Sequence, residues 1–276
     1  MPLPINFRFS QASLADYLDC PRRFQLRYLL EQAWPAVEAE PLLERERLAE
    51  LGRRFHKLIQ QHVEGLSVET LTASISEPEL ARWWQSYLDS LDVILNELPQ
   101  KRRAEVALSI PIKTYRLTAH FDLMAGNDER AVIVDWKTEQ RQPTRDQLLQ
   151  RIQTRVYRYV LTIAQQRPPG TVSMIYWFAH AERPDRPATL PYDAAQPADD
   201  DRFLIDLIEE IEHLARDSQP SQGSEWPKTP NERKCAYCVY RSLCNRGVHA
   251  GTSDPDEEDF DLAARINIEQ IDAIEY

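Results

Sequence analysis

The sequence predicts an α/β fold, a mixed central sheet flanked by helices. Three observations carry that prediction. Apolar residues recur at helical spacing through residues 10–98, three β-type runs follow one another through 105–136, and a helix–strand–helix alternation comes after them. A sheet built from such runs has to bury its apolar faces under the helices before and after it.

Ser10 is a helix N-cap before 11–18, and Pro21 breaks or restarts that helix. A second helix is expected over about 43–65, because Leu48, Leu51, Phe55, Leu58, Ile59 and His62 form one stripe. A third runs over 77–98, with Pro78 in its first turn and Trp84, Tyr87, Leu88, Leu91, Ile94 and Leu95 on its apolar side. Strands are expected at 105–110, 115–123 and 131–136, with a turn at 126–128. One long helix follows over 146–165, stopped by Pro168-Pro169-Gly170, then a strand over 172–178. Residues 184–201, rich in Pro, Ala and Asp, read as a surface loop. A helix spans 203–214, and 218–231 read as a linker.

The chain has 276 residues, 42% of them hydrophobic, enough for one sizeable α/β domain with an elaboration or for two small domains. No apolar run approaches the ~18 residues of a membrane-spanning helix. The N-terminus lacks the pattern of a signal peptide, so a cytoplasmic protein is expected, with no membrane partner. The net charge is −11, but 254–276 hold nine acids and one base; that acidic tail carries −8 and residues 1–253 only −3. A nearly neutral body leaves nucleic acid open as a partner. In the tail, Leu262, Ile266, Ile268, Ile271 and Ile274 are spaced for a short amphipathic helix.

Along a strand, side chains alternate between faces. In Asp135-Trp136-Lys137 the acid and the lysine therefore share a face, and Asp122, ending the preceding strand, can lie beside Asp135. Two carboxylates and an ammonium at a sheet edge suit phosphodiester hydrolysis. Carboxylates hold hard divalent ions, the ions polarise phosphate and acidify water, and the lysine offsets developing charge. A surface Asp135–Lys137 salt bridge is the plainer reading. On the helix over 146–165, Gln153 and Tyr157 lie on one flank of the core stripe. Arg151, Arg155 and Arg158 cluster on the other, as a solvated or basic face.

The four cysteines are Cys20, Cys235, Cys238 and Cys244. In a reducing compartment such spacing points to metal rather than disulfides. A structural zinc more often takes two close pairs. One distant cysteine with a triplet suits a 4Fe–4S cluster, which would clasp the N-terminal helix to the C-terminal segment.

Taken together, these elements resemble the PD-(D/E)XK nuclease superfamily, in its RecB-like, CRISPR-associated-exonuclease-like branch with an iron–sulfur cluster. Asp122, Asp135 and Lys137 match the signature, with Asp135 thirteen positions after Asp122. Gly52-Arg53-Arg54-Phe55-His56 is similar to the branch's Gly-x-x-apolar-His element, Gln153 to Tyr157 to its Gln-x-x-x-Tyr motif, and the cysteines to its two cysteine elements. One departure is Ala119, where the family often has glycine, a methyl that restricts backbone approach.

The resemblance implies a restriction-endonuclease-like fold over 1–253 and a Mg2+- or Mn2+-dependent deoxyribonuclease. Such an enzyme cuts single-stranded or free-ended DNA in repair, recombination or CRISPR adaptation. It implies metal ligation by His56, Asp122 and Asp135, an imidazole favouring manganese. It implies catalysis by Asp122, Asp135 and Lys137, with Gln153 and Tyr157 positioning the DNA strand, and a 4Fe–4S cluster on Cys20, Cys235, Cys238 and Cys244. No Gly-x-x-x-x-Gly-Lys-Ser/Thr signature occurs, so a helicase or CRISPR-adaptation partner is expected to separate strands. The competing readings are a catalytically inactive DNA-binding iron–sulfur module and a zinc-binding interaction protein.

Overall fold

Ser10 starts the first helix as its sequence position requires. Its hydroxyl accepts the Ser13 N–H at 3.2 Å, and the Ser13 hydroxyl accepts the Ser10 N–H at 2.9 Å, closing a reciprocal cap. The structure, a computed structural model, describes residues 2–32, 40–95, 98–168, 170–180, 187–217 and 225–247. The acidic tail at 254–276, with its expected amphipathic helix, lies outside the described residues.

Strand β1 (Arg8–Ser10) leads into α1 (Gln11–Asp19), and Pro21 opens a short α2 (Pro21–Phe24) that continues as a π-helical turn over Gln25–Leu29. Helices α3 (Glu40–Val63) and α5 (Pro78–Leu95) match the two apolar stripes. Between them lies α4 (Val68–Ala73), capped by Ser67, which the sequence reading passed over. The strands β2 (Lys101–Ile112), β3 (Tyr115–Gly126) and β4 (Ala131–Lys137) are the three serial β-type runs, each longer than its pattern suggested. Asn127 makes the β3–β4 turn, its side-chain oxygen accepting the Glu129 and Arg130 N–H groups.

The expected helix over 146–165 is two helices. The α6 segment (Arg145–Gln150) stops at Arg151, whose extended ψ of 133° starts α7 (Ile152–Ala164) on a new course. Strand β5 (Val172–Phe178) follows. The supposed surface loop contains β6 (Ala188–Tyr192) and the first turn of α8 (Gln196–Asp217). Pro191 is tolerated because β6 is an edge strand. A 3-10 turn at Glu232–Cys235 enters the cysteine triplet.

The sheet is mixed. β4 pairs parallel with β5, β5 antiparallel with β6, and β2 antiparallel with β3 along its length. On its other edge β3 takes β1 in parallel at residues 116–118 and β4 antiparallel at 123–126. Between those two partners that edge is open, and Asp122 sits in the opening.

Helices cover both faces. One core joins Leu117, Phe121, Ile133 and Tyr176 to α1, α7 and α8 through residues such as Leu14, Val156, Val160 and Ile208. The other joins Leu123, Val134, Trp136 and Trp177 to α3 and α5 through Phe55, Trp83, Trp84 and Tyr87. Strand β3 thus changes faces between Phe121 and Leu123. At that point the ladder passes from Val106↔Phe121 to Ala104↔Leu123, skipping Glu105 and Asp122, and Glu105 has φ 50°. A glutamate in the left-handed region costs on the order of 1–3 kcal/mol, strain that collects at functional sites. Among the described residues, no helix is long and apolar enough to cross a membrane.

Candidate active site

Asp135 and Lys137 share one face of β4, as alternation requires, while Trp136 packs into the α3–α5 core. Lys137 Nζ lies 2.9 Å from Asp135 Oδ2, and each side chain is only 3% exposed. This is no surface salt bridge. It also lies inside the sheet rather than at its edge, because β4 runs between β3 and β5. A buried ion pair is costly to desolvate and adds little net stability, so its retention calls for another reason.

Helix α7 supplies the supports. Gln153 Nε2 donates to Asp135 Oδ1 at 2.9 Å, and the hydroxyl of Tyr176 donates to Gln153 Oε1 at 3.4 Å. Tyr176 pairs with Asp135 across the β4–β5 ladder, and Lys137 Nζ stands 5.8 Å from its ring centroid. Tyr157, one turn along α7, packs edge-on against Phe121. Burial first, then the charges of Asp135 and Asp122, push its phenol well above the usual range, so it stays protonated. Gln153 and Tyr157 are both buried, Gln153 against Asp135 and Tyr157 against Phe121.

Asp122 does not end a strand but lies midway along β3, at the change of faces. Its Oδ2 accepts the Trp136 N–H at 2.8 Å, bridging to β4 just where the β3–β4 ladder has stopped. Its Oδ1 is 3.2 Å from His56 Nδ1 of α3. Burial opposes its ionisation, but the charge and hydrogen bond of His56, the Trp136 N–H and Lys137 outweigh that and hold its carboxyl below the usual range. Gly52 allows α3 so close: a Cβ there would come 3.3 Å from Thr138 Oγ1, in the segment after β4.

Sequence reasoning missed Glu105. It lies on β2 opposite Asp122, and ligand atoms of His56, Glu105 and Asp122 all lie within 4.8 Å of one another. Burial and then the charge of Asp122 push Glu105 up to about 7, a mutual repulsion that a cation would relieve. His120 Nδ1 stands 3.4 Å from its Oε2. Of the three expected ligands, the structure gathers His56 and Asp122 and adds Glu105. Asp135 stands outside this trio, engaged with Lys137 and Gln153. The two groups adjoin, since Tyr157 feels both Asp122 and Asp135. The early signal for Glu105 was slight, an acid at the start of the strand expected over 105–110.

The four cysteines converge. Cys20, Cys235, Cys238 and Cys244 line one cavity with Arg23, Lys228, Lys234, Arg241 and Arg246. Cys20 Sγ accepts the Thr229 N–H at 3.4 Å. Burial pushes the thiols of Cys235, Cys238 and Cys244 up, and each also feels another cysteine of the set. The "linker" reading of 218–231 fails at its described end: Trp226 is buried and stacks on Phe24 at 5.8 Å, and the Trp226 N–H donates to Gln25.

Two further expectations need correction. Arg151, Arg155 and Arg158 do not form a basic face, because the helix breaks at Arg151. Arg158 is 2% exposed over the Tyr192 ring, and Arg155 pairs with Asp200 at 2.9 Å. The Ala119 methyl is buried in the core beside Leu117 and Phe121, so it does not bar an approaching nucleic-acid backbone.

One solved structure shares the overall architecture. A protein from Eubacterium rectale, provisionally described as an exonuclease, superposes with a TM-score of 0.50 at 10% identity over 90% of both chains. SSO0001 matches at a TM-score of 0.38 and 16% identity over 87% of both chains. No curated protein matches in sequence. The profile of the PD-(D/E)XK nuclease superfamily matches residues 8–245, from β1 through the last cysteine. With most of its length matched by that profile, this chain belongs to the PD-(D/E)XK nuclease superfamily.

Proposed function

We propose that the chain is a divalent-metal-dependent deoxyribonuclease of the RecB-like branch, acting on single-stranded or free-ended DNA. The observation that carries this reading is the juxtaposition at the opening between β3 and β4. There a His56–Glu105–Asp122 trio adjoins a buried Asp135–Lys137 pair braced by Gln153. An imidazole and two carboxylates fit Mg2+ or Mn2+. When bound, the ion supplies the charge that polarises a phosphate and lowers the pKa of water. Asp122 would hold it together with His56 and Glu105, and Asp135 lies beside them as the family's second acid. Lys137 offers an ammonium to the charge that develops on the phosphate. Gln153 and Tyr157 keep Asp135 oriented and shield it from water. Strand separation would fall to a helicase or a CRISPR-adaptation partner.

A 4Fe–4S cluster on the four cysteines is part of the same reading. A cluster places each thiolate on its own iron, and one distant cysteine with a triplet suits that arrangement better than the two close pairs usual for structural zinc. The cations around the cavity suit its negative charge.

The test is purification without oxygen, iron and zinc analysis, and an assay on end-labelled single- and double-stranded DNA with magnesium or manganese. About four irons per chain and metal-dependent cutting are expected. Asp135→Ala and Lys137→Ala should each abolish cutting in folded protein. Undiminished cutting by both overturns the assignment. An inactive wild type with its cluster intact favours a DNA-binding module, and one zinc without iron favours the zinc reading.

A further inference from the structure

Of the three arginines around the helix break, Arg151 pairs with Glu139, in the segment after β4, and its charge interacts with that of Asp135. Its NH1 and NH2 both lie 2.8 Å from the two carboxylate oxygens of Glu139. Its guanidinium carbon is 5.8 Å from the centroid of Tyr176, the ring that Lys137 also approaches. Glu139 is buried at 6% exposure, while Arg151 is 25% exposed. Asp135 and Lys137, by contrast, are almost sealed. Arg151 is therefore more open to solvent than Lys137, on the side from which a bound strand would approach.

That arrangement is expensive for a purely structural clip. A buried carboxylate gives up its hydration, and an apolar pair of similar volume would serve the packing at least as well. Glu139 takes two of the guanidinium's five N–H donors and Tyr176 supports its plane, which leaves a pre-oriented fork with three donors. The break between α6 and α7 makes this possible. Arg151 carries extended backbone angles at the N-cap of α7, so its side chain is aimed independently of the α7 arginines that serve the core.

We propose that Arg151, held by Glu139 and Tyr176, binds a backbone phosphate of the substrate strand next to the phosphate at the Asp135–Lys137 site. This rests on the nuclease reading above. The contact is to phosphate, so it adds affinity and register without base preference.

The experiment measures binding of labelled single-stranded DNA by full-length, cluster-loaded protein across a salt series, with Lys137→Ala in every sample to prevent cutting. Wild-type cleavage is measured in parallel. Arg151→Gln should weaken binding to all sequences alike and lower the slope of log K against log salt by about 1. Glu139→Gln should keep the parental slope. Arg151→Gln alone strands a buried carboxylate and can unfold, so Glu139→Gln/Arg151→Gln is the deciding variant, and it should show the reduced slope in folded protein. A parental slope in that double variant, with the wild type binding and cutting DNA, overturns the phosphate contact and leaves the nuclease reading standing. A wild type that neither binds nor cuts DNA overturns both.

Discussion

Gln153 donates to Asp135 at 2.9 Å from the first turn of a helix that begins only at Ile152. The backbone angles of Arg151, rather than a helical phase inherited from α6, decide where this amide points. The motif glutamine is thereby tied to the motif acid through a break that leaves no proline or glycine in the sequence.

Gln153→Ala should lower the cleavage rate by about 10- to 100-fold, the usual loss when a residue orienting a metal-site carboxylate is removed. Because Gln153 is buried, DNA affinity should stay near wild type. Single-turnover rates and fluorescence anisotropy separate the two. Weakened DNA binding with an unchanged rate at saturating DNA would instead place Gln153 on the strand.

Glu105→Gln keeps the size of the side chain and removes the charge. If Glu105 ligates with His56 and Asp122, the metal concentration for half-maximal activity should rise, by at least the roughly 10-fold lost when a mere supporting partner of a ligand is removed. Direct calorimetric titration with Mn2+ should show the same weakening without DNA present. Unaltered Mn2+ affinity would make Glu105 a bystander to the site.

Trp226→Ala should destabilise the protein by about 3–5 kcal/mol, the cost of emptying a buried aromatic position. Trp226 stacks on Phe24 and packs edge-on to Tyr17 at 6.2 Å, and the Arg22 N–H donates to Pro227. These contacts do not involve the cysteines, so the C-terminal segment should stay docked when iron is removed. Limited proteolysis at the C-terminal side, on chelated wild type and on the loaded variant, checks both statements. Rapid clipping of chelated wild type would make the cluster the sole clasp.

Arg158→Ala should cost about 3 kcal/mol or more in urea unfolding, because it strips a buried network of its cation. Arg158 donates to the carbonyls of Thr154 and Pro191, and its ring partner Tyr192 bonds Asp200. The salt dependence of DNA binding should not change, in contrast to Arg151. A loss of slope with stability intact would restore a basic face on α7.

Local pattern was enough for much of this. Period-two alternation set Asp135 and Lys137 on one face, the Ser10 cap began α1 where it does, and the cysteine spacing marked four residues that do line one cavity. These features depend on near neighbours, which a sequence displays directly. Tertiary structure decided the rest. Glu105 became a candidate ligand only because β2 lies beside β3 where both leave the regular ladder. The fate of Arg151, Arg155 and Arg158 depended on Glu139, Asp200 and Tyr192, residues between 12 and 45 positions away. Strand β6 stayed hidden because its proline is acceptable only at an edge, and an edge exists only once the sheet is assembled. A helical wheel gives the direction of a side chain. What waits in that direction is fixed by pairings between distant segments, and there the buried Asp135–Lys137 pair ceased to look like an ordinary surface salt bridge.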